Sequence, residues 1–292
     1  MSENISLEEI KKIWPSSAPD ISNINKYVEK YKSETIVIKY GGNVLIDRSI
    51  FNNFIEDIGI LNKLGLSIVV VHGGGPRIKR ELEKSNIATK FIKGLRVTDK
   101  NIINIVEKVL IDFNNDIVNS LNEKGSKAVS INTKTKNIIN VSPENEELGF
   151  VGIPEKINNN TINELIENNQ IPVVAPLGLG KDNQAYNING DTAAGAIAKS
   201  LKSRRLLLMT NVEGVLNKDK KLISEISSSK ILDMIKDETI TGGMIPKINT
   251  CLDSVNNGVR GVVIMDGRKP HSILNEIFSD TGAGTLIRWW KT

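Results

Sequence analysis

A lysine and two glycines close the first apolar run of the chain, at residues 36–42. The three β-favouring residues that open this run predict a buried strand, which puts Lys39, Gly41 and Gly42 at its carboxyl end. Ligands of open α/β sheets bind just beyond the carboxyl ends of the strands. A cation beside backbone N–H groups that no side chain obstructs indicates an anion, most simply a phosphate. On these residues alone, a plain turn with Lys39 in solvent is the commoner interpretation.

A second apolar run repeats this pattern, with three valines followed by His72, three glycines and Pro76. Gly74 and Gly75 let the backbone approach a ligand closely, and Pro76 suits the first turn of a helix whose amino end attracts anions. The glycine spacing differs from the dinucleotide fingerprint Gly-x-Gly-x-x-Gly and from the Gly-x-x-x-x-Gly-Lys phosphate loop. Two glycine-ended strands in succession make a simple turn less plausible at either one.

Polar side chains in two later segments suit a substrate that carries a carboxylate. Arg96 precedes a long predicted helix. Its planar fork can grip a carboxylate with two hydrogen bonds, although a solvated arginine is the alternative. Asn187, Asn189 and Asp191 alternate, so they share a direction if the segment is extended. Asp191 also stands where a helix begins, and capping that helix is its alternative role.

The last candidate is Lys247, which follows Gly242 and Gly243 into the first turn of a predicted helix. A cation at a helix amino end opposes the macrodipole, so this position favours an anionic partner. The candidates together comprise two lysines, an arginine, an aspartate, amides and three glycine turns, without an evident nucleophile. Phosphoryl transfer depends on such groups, because its catalysis is mostly positioning and charge neutralisation.

Composition sets limits on other classes of function. The 292 residues are 39% hydrophobic and 25% charged, as in ordinary globular proteins, and a net charge of +4 does not indicate nucleic acid. Cys251 is the single cysteine, and His72 and His271 are far apart, so neither a disulfide nor a protein-built metal site is expected. The acidic amino terminus is unlike a targeting peptide, and no apolar run has the length of a membrane span. We therefore expect a cytoplasmic protein.

Strands and helices alternate from Thr35 onward, which predicts an α/β fold: a three-layer αβα sandwich around an open, mainly parallel sheet. Strands are predicted at 35–39, 67–71, 127–131, 171–176, 205–210 and 261–265, with a two-stranded ribbon at 137–141 and 150–156. Helices are predicted at 50–64, 76–84, 100–123, 161–167, 191–201, 228–235, 245–256 and 270–278. Two short helices, the second at 21–31, precede the sheet as an arm. The apolar stripe of this arm must dock on the body or on another subunit.

Eight segments carry these candidates in a fixed order. They are VIKYGGN at 37–43, VVHGGGP at 70–76, KGLRVTD at 93–99, IPVVAPLG at 171–178, YNINGDTAAG at 186–195, TNVEGVL at 210–216, GGMIPK at 242–247 and DGRKPH at 266–271. In this order they resemble the amino acid kinase superfamily, and within it the N-acetyl-L-glutamate kinases, over residues 35–287. The chain departs from the family at Arg77, where glutamate is usual, at Gly190, where alanine is common, and at 132–137, which lacks the Ser-Gly-Lys-Asp-Gly run.

The resemblance implies ATP-dependent phosphorylation of the side-chain carboxylate of N-acetyl-L-glutamate in L-arginine biosynthesis, with Mg²⁺ carried by the nucleotide. Lys39 and Lys247 would bracket the transferring phosphoryl group, and Asp191 would orient both lysines. The acceptor carboxylate is ionised at neutral pH, so no general base is needed. Residues 34–180 would bind the substrate and form a dimer, and residues 181–292 would bind ATP. The other implied site residues are Gly41, Gly42 and Gly243 for phosphates, and Gly74, Gly75, Arg96, Asn187 and Asn189 for the substrate.

Residues 1–33 resemble the arm of the arginine-inhibited members of the family, which assemble as hexamers by pairing such arms between dimers. The resemblance therefore implies a homo-oligomer, either a dimer or a hexamer, and feedback inhibition by L-arginine. The residues that fall in the matching inhibitor segments are Tyr27, Lys218, His271, Glu276 and Gly282.

The sequence leaves three other functions open. Another carboxylate kinase of the superfamily would act on aspartate, glutamate or a carrier-linked aminoadipate, but Arg96 and the two asparagines favour an N-acylated amino acid. A non-catalytic nucleotide or amino-acid sensor would not require Lys39, Asp191 and Lys247 together. An NAD-dependent oxidoreductase is disfavoured by the glycine spacing.

Overall fold

The computed structural model describes residues 6–41 and 47–289, so Gly42 lies outside the described residues. No helix in these two ranges is long and apolar enough to cross a membrane. The described helices are α1 (Leu7–Ile13), α2 (Ile24–Tyr31), α3 (Arg48–Lys63), α4 (Gly75–Lys84), α5 (Lys100–Glu123), α6 (Asn159–Glu167), α7 (Gly190–Ser200), α8 (Ser228–Lys236), α9 (Met244–Asn256) and α10 (Ser272–Phe278). The described strands are β1 (Thr35–Tyr40), β2 (Ser67–His72), β3 (Phe91–Ile92), β4 (Leu95–Arg96), β5 (Ala128–Ile131), β6 (Ile139–Pro143), β7 (Gly152–Ile157), β8 (Ile171–Val174), β9 (Leu177–Leu179), β10 (Ala185–Asn187), β11 (Arg205–Thr210), β12 (Glu225–Ser227), β13 (Val262–Asp266) and β14 (Gly284–Arg288).

The main sheet contains eight of these strands, in the order β12-β14-β13-β11-β1-β2-β8-β5. Neighbouring strands are parallel except for β13 and β14, which run antiparallel. β1 lies between β11 and β2, with Lys39 in register with Leu208 and Val71. Because parallel strands end at the same edge of a sheet, Lys39 reaches the edge where the glycines after β2 begin.

Different helices cover the two faces of this sheet. Side chains alternate along a strand, so Ile36 and Ile38 face one side, where they pack with residues of α2, α3, α5 and α10. Val37 faces the opposite side and packs with residues of α6, α7, α8 and α9. These two buried clusters confirm the predicted αβα sandwich. By the same alternation, Lys39 shares the face of Val37, on which α7 and α9 lie.

The sequence predictions missed the shortest strands. The predicted ribbon is present as β6 and β7, but two further strands that the sequence analysis does not predict, β9 and β10, join it in a second sheet of order β10-β9-β6-β7. β3 and β4 form a separate hairpin, and β12 extends the main sheet at one edge beside the five-residue β14, which the sequence analysis also does not predict. Strands of two or three residues contain too few positions for a period of two to be recognised, and their pairing depends on distant partners.

The N-terminal arm packs on the body of the same chain. Tyr27 of α2 meets Phe278 of α10 edge to face, with 6.1 Å between ring centroids, and Trp14 meets the same ring at 5.3 Å. Ile24 and Tyr31 of α2 are buried with Tyr27. The apolar stripe of the arm is therefore covered within the chain itself.

Candidate active site

Three elements that are far apart in the sequence bring Lys39, Asp191 and Lys247 together. Lys39 lies near the end of β1, and Asp191 and Lys247 lie in the first turns of α7 and α9. Asn189 caps α7, because its Oδ1 accepts hydrogen bonds from the N–H groups of Asp191 at 2.9 Å and Thr192 at 3.2 Å. The capping role therefore belongs to Asn189, and the Asp191 carboxylate is available to the lysines.

The Asp191 carboxylate bridges the two lysines. Lys39 Nζ lies 3.0 Å from Oδ1, and Lys247 Nζ donates a hydrogen bond to Oδ2. The Lys39, Asp191 and Lys247 side chains are only 10%, 16% and 14% exposed. Burial alone would raise the pKa of Asp191, but the two ammonium groups outweigh it and hold this pKa well below its usual range. Two cations thus share one anion, and the excess positive charge can attract a negatively charged ligand.

Glycines leave the space that Lys39 occupies. A Cβ at Gly41 would lie 2.1 Å from Lys39 Nζ, and one at Gly190 would lie 3.2 Å from Lys39 Cε. A side chain at position 41 would therefore displace the ammonium group. Gly243 precedes α9, whose amino end has no side-chain cap, and a Cβ there would have no atom within 4 Å. This helix end is open to an anion.

Arg96 reaches the same region from the β3–β4 hairpin. Its guanidinium donates to Thr89 Oγ1 and, at 3.4 Å, to the carbonyl of Gly75, and it lies 4.7 Å from the centroid of the Phe91 ring. The residue is 8% exposed, and burial lowers its pKa. No carboxylate within the described ranges forms an ion pair with it. Because burial of an unpaired charge costs free energy, this cation favours an anionic ligand from outside the chain.

A cleft of about 210 Å³ joins Arg96 to the glycine loop, which comprises residues 73–75 after β2. The other predicted substrate residues line it as well, and they are Gly74, Gly75, Asn187 and Asn189. α4 begins at Gly75 without a side-chain cap, so its amino end opens on the cleft. Asn187 Nδ2 lies 3.5 Å from Thr98 Oγ1, and Asn189 is both a lining residue and the cap of α7. The structure thus brings all five residues together beside the paired lysines.

Comparison with known proteins gives the family. Residues 34–266 match the model of the amino acid kinase family. The chain belongs to this family.

Relatives within the amino acid kinase family are similar over almost their whole length. Acetylglutamate kinase of Pelagibacter ubique is 56% identical over 281 residues, which cover 96% of this chain and 98% of the relative. Acetylglutamate kinase of Rhodospirillum centenum is 45% identical and covers 94% of both chains. The crystal structure of smu.665 from Streptococcus mutans is 34% identical with a TM-score of 0.75, over 87% of this chain and 98% of that one. The family resemblance inferred from the motifs is confirmed.

The five residues predicted for an arginine site do not all come together. Glu276 and Gly282 line a second cleft, of about 500 Å³, between α2 and the α10–β14 connection. A Cβ at Gly282, where φ is +70°, would lie 2.7 Å from Glu276 Oε2. Tyr27 of α2 does not line this cleft, although Lys30 and Tyr31 of the same helix do. His271 and Lys218 are engaged elsewhere.

The partners of those two residues are both aspartates. His271 Nδ1 lies 2.6 Å from Asp57 Oδ1 in a buried pair. Lys218 Nζ lies 3.0 Å from Asp237 Oδ2 at the surface. Neither basic residue lines the second cleft.

Sequence reasoning missed several residues that hold the site in place. Thr89 and Phe91 contact Arg96, and Asn114 contacts His72 beneath the glycine loop. Phe91 gives the clearest signal in the sequence, because it is an aromatic residue close to Arg96. The buried contacts of Asn114 join α5 to β2 and have no local pattern.

Proposed function

We propose that the chain transfers the γ-phosphoryl group of ATP to the side-chain carboxylate of N-acetyl-L-glutamate, a step of L-arginine biosynthesis. The single observation that carries this proposal is the buried Arg96 guanidinium, which has no carboxylate partner in the described ranges and opens on the cleft beside the Lys39–Asp191–Lys247 cluster. Arg96 would hold the α-carboxylate of the substrate. The acetylglutamate kinases at 56% and 45% identity support the same substrate.

The lining of the cleft favours an acylated amino acid over a free one. None of its described lining residues is acidic, so a free α-ammonium group would lose its water without gaining a counter-charge. An acetamido group instead needs neutral hydrogen-bond partners, which Asn187 and the backbone can provide. The alternative carboxylate kinases that act on free amino acids are therefore less well supported.

The two lysines would act on the charge that develops during transfer. The acceptor carboxylate is ionised and can attack the γ-phosphorus without a general base. Lys39, on the sheet edge beside the glycine loop, would face oxygens of the transferring group near the acceptor. Lys247, at the start of α9, would stabilise the oxygen that bridges to ADP. Asp191 would keep both ammonium groups in place and would not itself transfer a proton, because its pKa is held low.

ATP use follows from membership of a kinase family, and Mg²⁺ is part of the proposal. Among the described residues no group of three His, Cys, Asp or Glu side chains could hold a metal ion, and both oxygens of Asp191 already face lysines. Mg²⁺ would therefore be held mainly by the phosphates of ATP, where it neutralises their charge. We assign no protein ligand to it. A reducing, cytoplasmic setting is compatible with the free, buried Cys251.

Regulation by L-arginine is a further part of the proposal. Glu276, Lys30 and Arg205 line the second cleft. The Glu276 carboxylate could bind the guanidinium group of L-arginine, and the two cations could bind its carboxylate. Tyr27, Lys218 and His271 stay in the proposal on the family resemblance alone. A homo-oligomer built through the arm also remains a proposal, and it would have to use arm surfaces other than the stripe that α10 covers.

ADP release with N-acetyl-L-glutamate as acceptor tests the proposed reaction. We expect turnover with N-acetyl-L-glutamate and much slower turnover with L-glutamate at equal concentration. Comparable rates with both acceptors would favour a kinase of free amino acids. ATP binding without ADP release on either acceptor would favour the sensor.

A further inference from the structure

His72 is a buried titratable residue that the reaction itself does not use. It ends β2, immediately before the glycine loop, and it is fully buried in a T-shaped contact with the Phe113 ring, with 5.1 Å between ring centroids. Burial lowers its pKa to about 4. The imidazole is therefore neutral at pH 7, with one nitrogen that donates and one that accepts.

The surrounding hydrogen bonds determine which nitrogen carries the proton. Nδ1 of His72 lies 2.8 Å from the carbonyl oxygen of Gly73, which can only accept, so Nδ1 must donate. Nε2 lies 3.1 Å from Asn114 Nδ2 and must accept. The orientation of the Asn114 amide is itself determined, because Nδ2 donates to the carbonyl of Val173 at 2.9 Å and Oδ1 accepts from Ser130 Oγ at 2.5 Å.

These contacts fix the peptide that joins Gly73 to Gly74. The Gly73 N–H donates to the carbonyl of Tyr40 at 2.7 Å, and its carbonyl is held by His72. In a trans peptide the carbonyl and the following N–H point in opposite directions. The Gly74 N–H must then point away from His72, and within the described part of the chain it has no hydrogen-bond acceptor. Gly74 lines the substrate cleft, whereas His72 does not.

The peptide that joins Gly73 to Gly74 lies close to Lys39 and to the start of α7. The Cβ position at Gly190 is 3.6 Å from the His72 carbonyl oxygen, 3.7 Å from Gly73 Cα and 3.2 Å from Lys39 Cε. We propose that His72, held by Asn114, is a positioning residue that keeps the Gly74 N–H directed at the oxygens of the acceptor carboxylate or the transferring phosphoryl group. This inference rests on the proposed phosphoryl transfer. A donor fixed in advance stabilises developing charge without reorganisation.

Substitution of His72 by asparagine or by glutamine distinguishes the roles of the two imidazole nitrogens. His72→Asn keeps an N–H donor near the Nδ1 position, and His72→Gln keeps polarity but places it near the Nε2 position. We expect His72→Gln to lower kcat about tenfold or more with a smaller change in KM, and His72→Asn to stay within about threefold of the wild type. Asn114→Ala should also lower kcat. Asn122→Ala is the matched control, because Asn122 bridges the same helix to β5 without touching the loop.

The tautomer gives a readout that does not depend on activity and is measured on the wild type. The chain has two histidines, so ¹⁵N-histidine spectra of the wild type contain two side chains, and His271→Gln assigns them. We expect His72 as the neutral tautomer with the proton on Nδ1 at pH 7. An Nε2–H tautomer, or equal kcat in the Asn and Gln variants, would overturn the inference. A wild type that does not phosphorylate N-acetyl-L-glutamate while His72 shows the Nδ1–H tautomer would instead count against the proposed function.

Discussion

Lys39 Nζ lies 3.0 Å from Asp191 Oδ1, although β1 and α7 are far apart in the sequence. The remaining oxygen of Asp191 accepts a hydrogen bond from Lys247 on α9. One carboxylate thus fixes two ammonium groups that would otherwise repel each other in a poorly hydrated place. Their positions are set before any substrate arrives, which is the condition under which charged groups contribute most to a transition state.

Removal of either ammonium group should therefore affect turnover more than folding. We expect Lys39→Met and Lys247→Met each to lower kcat about a hundredfold or more, because each removes one donor to the transferring group. Initial rates of ADP release at saturating ATP measure this effect. Lys199→Met is the control, because Lys199 also joins α7 to α9, through Asp253, but at the surface. Near-normal kcat in either lysine variant would contradict the assigned roles.

The space at Gly41 gives a test that removes no charged group. An alanine methyl group there would occupy the position of Lys39 Nζ, so Gly41→Ala should displace the ammonium group and lower kcat at least about tenfold. Gly59→Ala is the matched change in α3, where the new methyl would meet only Ser126 Oγ at 3.6 Å. It should leave kcat unchanged and raise the free energy of unfolding by about 0.5–1 kcal/mol. Equal kcat in the two variants would show that Lys39 tolerates the methyl group.

The sequence predicts the fold class correctly, and most of the candidate site residues that it indicates lie near one another in the structure. The lysine at the end of the first apolar run and the positions of Asp191 and Lys247 in first helical turns are local patterns, and the structure brings these three residues together. The contacts of Arg96 with Thr89 and Phe91 depend on a hairpin whose strands have two residues each. The link from Asn114 to His72 joins α5 to β2 across the core. Such contacts follow from tertiary packing, which a single sequence does not display.

Arg96 should control substrate affinity. A lysine at this position keeps the charge but cannot form the bidentate grip of the guanidinium, so Arg96→Lys should raise the KM for N-acetyl-L-glutamate by about tenfold to a hundredfold. The KM for ATP should change little. Arg80→Lys is the control on the exposed side of α4. If kcat falls while the KM for N-acetyl-L-glutamate stays constant, Arg96 acts on the transition state and not on substrate binding.

Acid should destabilise the protein through His72. In the unfolded chain a histidine binds a proton below about pH 6.5, whereas burial lowers the pKa of His72 in the native state to about 4. Between these values the unfolded state binds more protons, so the contribution of His72 to stability is lost as the pH falls, up to about 3 kcal/mol. Asn114, Phe113 and the Gly73 carbonyl, which face the ring, do not titrate there.

Urea unfolding at pH 7.5 and pH 4.5 measures this loss. Between pH 7.5 and pH 4.5, the free energy of unfolding of the wild type should fall more than that of His72→Asn, which has no group to titrate at this position. His271→Asn provides the contrasting control: the hydrogen bond to Asp57 raises the pKa of His271, so its protonation favours the native state. If the free energy of unfolding falls equally with pH in the wild type and in His72→Asn, His72 is not the group that causes the loss of stability in acid.

The second cleft predicts how inhibition by L-arginine depends on Glu276. This carboxylate is 8% exposed, burial raises its pKa, and it accepts the Ala283 N–H at 2.8 Å. A guanidinium ligand would form charge-assisted hydrogen bonds with this carboxylate, so Glu276→Gln should raise the arginine concentration for half-inhibition about tenfold or more while uninhibited kcat stays constant. Gly282→Ala should do the same, because its methyl group would crowd Glu276 Oε2 at a positive φ.

Inhibition curves with L-arginine, and with L-citrulline as an uncharged analogue, separate a guanidinium site from general crowding of the cleft. We expect no inhibition by L-citrulline at concentrations where L-arginine inhibits the wild type. Glu213→Gln is the control, because Glu213 is an exposed carboxylate paired with Lys269 and does not line this cleft. Unchanged arginine sensitivity in Glu276→Gln would place the inhibitor elsewhere on the protein, and insensitivity of the wild type would remove feedback inhibition from the proposal.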